Sequence, residues 1–205
     1  MSVEQQSPQL PQSPPDAFIF AVDVGKPENL GWADSEGNQG GHITLEKQLI
    51  KNGQRLLAGQ PVALGFEAPL WTPRRNRLEE LNKNRGGVES TLNRAWSASA
   101  GSTVMAQVLA IMPWCLGIIS EHTKTTSIQA TTDPHSWQHQ GGLFIWEAFV
   151  SGPQKGKDHA DDAMIAVEAF LRRGDKLYSD IESPEGEAFS LATAALLATG
   201  WAVSL

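Results

Sequence analysis

Cysteine occurs once, at Cys115, so the chain has neither a disulfide framework nor a thiolate zinc site. Positive charge is also in short supply. Sixteen Lys and Arg face 23 Asp and Glu, giving a net charge of −7. That balance is mildly unfavourable for non-specific binding of nucleic acid, and any such contact should be a local basic patch. No basic n-region followed by an apolar h-region opens the chain, which predicts no secretory signal. With the lone thiol, this points to a reducing, cytoplasmic setting. Internal repeats are absent too, so solenoid architectures are excluded.

What is present argues for one packed domain. Hydrophobic residues make up 40% of 205 residues, seven of them Trp, enough for a sizeable core but cramped for two domains. Residues 1 to 16 are rich in Gln, Pro and Ser and read as a flexible tail, because they bury too little apolar surface to offset chain ordering. Order is expected over 17–205. Ala188 to Leu205 carries no charge but is only weakly hydrophobic, which predicts a buried terminal helix and no membrane span. Such a helix serves either the core or a homodimer face.

Periodicity places the elements. Ala17 to Val22 is a continuous apolar run, the mark of a strand covered on both faces. Leu30 to Ala33 and Gly41 to Leu45 flank the turn formers Asp34 to Asn38 and predict a hairpin. A helix over Glu46 to Ala58 ends at Gly59, and a second buried strand, Pro61 to Phe66, runs into Glu67. Pro69 to Ser102 is a polar insertion, expected to be partly helical, with six of the sixteen basic residues: Arg74, Arg75, Arg77, Lys83, Arg85 and Arg94. Thr103 to His122 predicts an apolar helix interrupted by Pro113, and Thr126 to Ala130 a short strand. Leu143 to Val150 predicts a strand, and Asp158 to Arg173 an amphipathic helix closed by Gly174. The succession implies an α/β fold: a mixed central sheet with flanking helices.

Three acids stand out by position. Asp23 and Glu67 each end a charge-free strand, and ligands in open α/β sheets gather at such carboxyl ends. Two carboxylates side by side repel, and burial raises the cost unless a cation lies between them. Hard oxygen ligands favour Mg²⁺ or Mn²⁺. On the Asp158 to Arg173 helix, Ala163, Val167, Phe170 and Leu171 mark the sheet-facing stripe, with Asp162 on its flank and His159 one turn earlier. Asp161 shares the outward side with Glu168 and Arg172, which makes Asp162 the better ligand candidate; Asp158 caps the helix.

Phe20-Ala21-Val22-Asp23-Val24-Gly25, then Gly31-Trp32-Ala33, Gly65-Phe66-Glu67-Ala68-Pro69 and His159-Ala160-Asp161-Asp162-Ala163 together resemble the RuvC-like branch of ribonuclease H-like proteins. Within it the likeness is to a family of uncharacterised predicted nucleases with a D-x-G start and a D-D-A helix near the C-terminus, over residues 17 to 173. The resemblance implies a ribonuclease H-like fold and a nuclease cutting phosphodiester bonds of DNA or RNA. It also implies two divalent ions on Asp23, Glu67 and Asp162, with His159 as a further catalytic member. Two departures are visible: Lys26 to Asn29 lengthen the turn after Asp23, and Pro69 to Ser102 replaces a more compact connection.

The insertion follows Glu67 directly, so Trp71, Arg74, Arg75 and Arg77 are expected to overhang the carboxylates and hold nucleic acid by stacking and phosphate forks. Lys155 and Lys157 precede the His159 helix, either within reach of phosphate or as solvated loop lysines. Glu147, inside an apolar strand, needs a partner, as a supporting metal ligand or as an acid on an exposed edge. Two other functions share these features: a catalytically inactive module binding protein or nucleic acid, and an actin-like or sugar-kinase ATPase. The last requires a duplicated fold and a second phosphate loop, and no repeat exists.

Overall fold

Burial of apolar strands between two helical layers organises the chain. The computed structural model describes residues 14–91, 96–124, 127–150, 155–172 and 188–204. Seven strands form the main sheet in the order β3-β2-β1-β4-β7-β6-β9. They are β1 (Phe18–Asp23), β2 (Gly31–Asp34), β3 (Gln39–Gly41), β4 (Val62–Glu67), β6 (Gln129–Thr131), β7 (Leu143–Glu147) and β9 (Ala202–Ser204). β2 runs antiparallel to β1 and β3, whereas β1, β4, β7, β6 and β9 are mutually parallel. A separate ribbon pairs β5 (Trp71–Pro73) with β8 (Ala188–Ser190).

Each strand alternates between two cores. Phe18, Phe20, Val22, Leu64 and Phe66 face the layer built by α1 (His42–Leu57), α2 (Ser99–Thr123) and α5 (Leu191–Ala198). Ile19, Ala21, Ala63, Phe144 and Trp146 face α3 (Pro134–Gln140) and α4 (His159–Arg172). Both faces are covered, which explains the unbroken apolar runs. A fully buried Leu on α1, such as Leu45 or Leu49, contributes roughly 1.5–3 kcal/mol.

Several boundaries differ from those expected. The helix begins at His42 rather than Glu46, because Leu45, Leu49 and Leu56 follow helical spacing, while Ile43 is 85% exposed. Trp32 Nε1 donates to the Gly41 carbonyl and to Thr44 Oγ1, pinning that start. α3 was not expected; Asp133 caps it by accepting from the Ser136 N–H at 2.8 Å, with Pro134 opening its first turn. α2 continues through Pro113, held by the buried Val108, Met112, Cys115, Leu116 and Ile119. It is also long and apolar enough to cross a membrane by length and composition alone. In this fold it packs between α1 and α5.

The C-terminal segment is not one helix. It is β8, α5 and β9, with Gly200 at φ 80° turning the chain after α5 so that β9 joins the sheet edge. β7 stops at Glu147, short of Val150. On α4, Ala166 takes the buried place assigned to Leu171, which is 53% exposed. The insertion is mostly irregular, with short 3₁₀ turns at Leu78–Glu80 and Gly87–Thr91. Residues 1–13, Arg94, Thr126, Arg173 and Gly174 lie outside the described residues. The described residues begin at Pro14, which is buried and whose carbonyl accepts from the Ala17 N–H.

Candidate metal centre

Parallel pairing of β1 and β4 is in register along six residues and ends with Asp23 directly beside Glu67. Period-two alternation turns both side chains toward the face that carries α4. From that face the first turn of α4 brings Asp162 and His159. One ligand oxygen from each of Asp23, Glu67 and Asp162 lies within 4.8 Å of the others. Asp23 and Asp162 are buried, at 3% and 5% exposure, and Glu67 is nearly so.

Close approach of α4 to β2 depends on Gly31, where a Cβ would collide with the His159 carbonyl and the Ala160 N–H. His159 Nδ1 meets Asp23 Oδ2. Asp158 accepts from the Ala160 and Asp161 N–H groups and so caps the helix. Asp161 faces outward, accepting from Gln39 Nε2 and the Lys157 N–H.

The electrostatics show what the cluster lacks. Burial pushes the Glu67 carboxyl up to about 10, reinforced by its hydrogen bond to Asp23 and by the Asp23 charge. Glu67 Oε2 is buried without any hydrogen-bond partner. The Lys155 ammonium stands 3.1 Å from Asp162 Oδ2 and 3.8 Å from Glu67 Oε1, and the Gly156 N–H donates to Asp162 Oδ1 at 2.6 Å. Burial works to lower the Lys155 ammonium, but the Glu67 charge and the Asp162 hydrogen bond hold it above its ordinary value. Even with Glu67 protonated, the Asp23 and Asp162 carboxylates against a single ammonium leave excess negative charge. The orphaned oxygen and the all-carboxylate donor set fit a hard divalent cation.

A cleft of 570 Å³ opens on this cluster, lined by Asp23, Glu67, His159, Lys26 and Lys155 on one side. Residues at the start of α2, Ala148 to Val150, and Arg85 with Glu89 and Glu147 also line it.

The expected roof lies elsewhere. Trp71, Arg74, Arg75, Arg77 and Lys157 do not line the cleft. Leu70 is buried in the core of the opposite face, so the chain beyond it leaves from that side of the sheet. The Trp71 ring lies under the Arg85 guanidinium, Arg75 donates to the Asn84 carbonyl at 2.9 Å, and Arg77 pairs with Glu79. Arg74 and Lys157 are exposed. Among the described residues, the cations that do line the cleft are Lys26, Lys155 and Arg85.

Glu147 has a role that sequence reasoning did not assign. It is buried rather than on an edge, and Phe66 pairing places it on the opposite pleat from Glu67. Arg85 reaches both its oxygens, at 3.0 and 2.7 Å, and the Leu70 N–H donates to it at 2.9 Å. Arg85 Nε also donates to Glu89 at 2.6 Å. Burial pushes the Glu147 carboxyl up while the Arg85 charge opposes it. An acid inside an apolar strand was the available signal; its partner, 62 residues away, was not legible.

Compared with protein-family models, curated proteins and solved structures, the chain shows no match to any of them.

Proposed function

We propose that the chain is a divalent-metal-dependent phosphodiesterase of the ribonuclease H-like, RuvC-like type, acting on nucleic acid. One observation carries the reading: Asp23, Glu67 and Asp162 converge within 4.8 Å from two strand ends and a helix start, and leave a buried Glu67 oxygen unpartnered. The order β3-β2-β1-β4-β7, with β2 alone antiparallel to β1, is compatible with that fold. The spacing also suits a pair of Mg²⁺ or Mn²⁺ ions roughly 4 Å apart.

The three carboxylates would hold the metal, which when bound supplies activation of a water and stabilisation of the leaving oxygen. Asp23, held against His159 Nδ1, keeps its orientation. The imidazole lines the cleft, where it can take a proton from an attacking water. Lys155, now paired with Asp162, lines the cleft and would be free to face a phosphate if a cation took its place on that carboxylate.

A second reading has its own observation. Lys155 already serves as an internal counter-ion to Glu67 and Asp162, as expected of an inactive module that binds a partner without metal. Asp23→Asn separates the two. In the enzyme it abolishes Mn²⁺ binding and cleavage of single-stranded and duplex substrates together. Wild-type protein that takes up no Mn²⁺ by calorimetry would overturn the proposal.

A further inference from the structure

We infer that the cleft receives one unpaired nucleotide unit, at the end of a single strand or in a short oligonucleotide, and does not accept the interior of a duplex. This rests on the phosphodiesterase reading above and names its substrate class.

Size is the first argument. A volume of 570 Å³ falls within the roughly 300–1,000 Å³ of pockets that enclose small ligands, whereas a duplex needs an open surface. Charge is the second. Among the described residues three cations line the cleft, and Arg85 is held by Glu89 and Glu147. Lys26 remains, joined by Lys155 where a metal would take over its partners Asp162 and Glu67, enough for one or two phosphates. Duplex binders commonly neutralise many more, about 6–10 contacts being typical of salt-sensitive complexes. Arg75 and Arg77 do not extend the track, being bound to partners within the insertion.

The third argument is the uncharged part of the lining. Ala100, Gly101, Val104 and Gln107 of α2 also line the cleft, as does Phe149, and together they offer apolar surface with one amide. Apolar contact and aromatic stacking recognise a base face, and an amide reads its edge. A paired base has both faces stacked and its edge occupied, so only an unpaired one can use this surface.

The test uses the full chain with Mn²⁺. Four compounds are offered: bis(p-nitrophenyl) phosphate, the p-nitrophenyl ester of thymidine monophosphate, a short single strand and a blunt duplex of the same sequence. Expected are hydrolysis of the thymidine ester and the single strand, with the duplex at least about ten-fold slower. The single strand's affinity should fall with salt at a log–log slope near −1.4, from two contacts at about 0.7 each, and Lys26→Ala should roughly halve that slope. A duplex cleaved as fast as the single strand, or a slope several-fold steeper, overturns the inference. If none of the four is hydrolysed, the phosphodiesterase reading fails instead. Anisotropy with labelled single strand and duplex then decides this proposal, equal or preferred duplex binding sinking it.

Discussion

Two acidic clusters meet at the carboxyl edge of the sheet and differ in almost every physical respect. Glu147 and Glu89 are closed around Arg85, with both Glu147 oxygens and the guanidinium satisfied at 0–2% exposure. Asp23 and Glu67 line the cleft, Glu67 and Asp162 share the ammonium of Lys155, and Glu67 Oε2 is left unpaired. Residue types are nearly the same. One pleat position separates the two outcomes, since Glu147 pairs with Phe66 while Glu67 pairs with Asp23. A complete set of partners makes an anchor for the insertion, and an incomplete set makes room for a ligand.

The sharpest way to break that contrast is to open the closed cluster. Arg85→Met leaves two buried carboxylates uncompensated and should cost about 3–5 kcal/mol in denaturant unfolding. The loss belongs to the insertion's anchor, so an unchanged midpoint would refute the assignment.

Burial raises the carboxyls of both Glu67 and Glu147, so the response to metal, and not pH alone, should set the open cluster apart from the closed one. Glu67 is raised from 4.5 to about 10 in the folded state, so its stabilising contribution is full below about 4.5. It is then lost as pH climbs toward 10, at no more than about 1.4 kcal/mol per pH unit. Metal-free protein should therefore lose thermal stability across that window, and Mn²⁺ should flatten or reverse the trend. Glu67→Gln should shrink the dependence to the part that Glu147 contributes.

Geometry of the open cluster is tested by Gly31→Ala, which forces α4 away from β2. A cost of about 1–3 kcal/mol is expected from overpacking. Mn²⁺ affinity should fall at least about ten-fold, because Asp162 and His159 move with the helix. The smallest effect calibrates both clusters. Asn52 on α1 is 1% exposed with both side-chain polar atoms unpartnered, and it lies in neither site. Asn52→Leu should raise stability by about 1 kcal/mol in the same unfolding assay, since an unpaired buried amide carries only a cost.

Much of the frame was legible in the sequence because local rules governed it. Asp23 and Glu67 close charge-free strands, and helix phase separates Asp162 from Asp161, which faces out toward Gln39. The strand-forming run at 18–23 and the buried stripe at Ala163, Val167 and Phe170 follow from period alone. Failures came where local signals compete. Gly41 to Leu45 alternates well enough for a strand, yet packing of Leu45 and Leu49 claims the segment for α1. The terminal apolar stretch offered no pattern that distinguishes one helix from a strand, a short helix and another strand.

The sequence by itself determined which residues could serve: carboxylates at the ends of buried strands, an Asp on the flank of a helix stripe, and too few cations for a broad nucleic-acid surface. Tertiary structure alone decided which of them meet. Parallel register sets Asp23 beside Glu67, close packing at Gly31 delivers Asp162 and His159, and the pleat sends Glu147 to Arg85 instead. It also carried Trp71 to Arg77 away from the cleft and left Lys26 and Lys155 in their place. Periodicity is a property of neighbours along the chain, whereas partnership across 62 or 136 residues is set by how the layers pack.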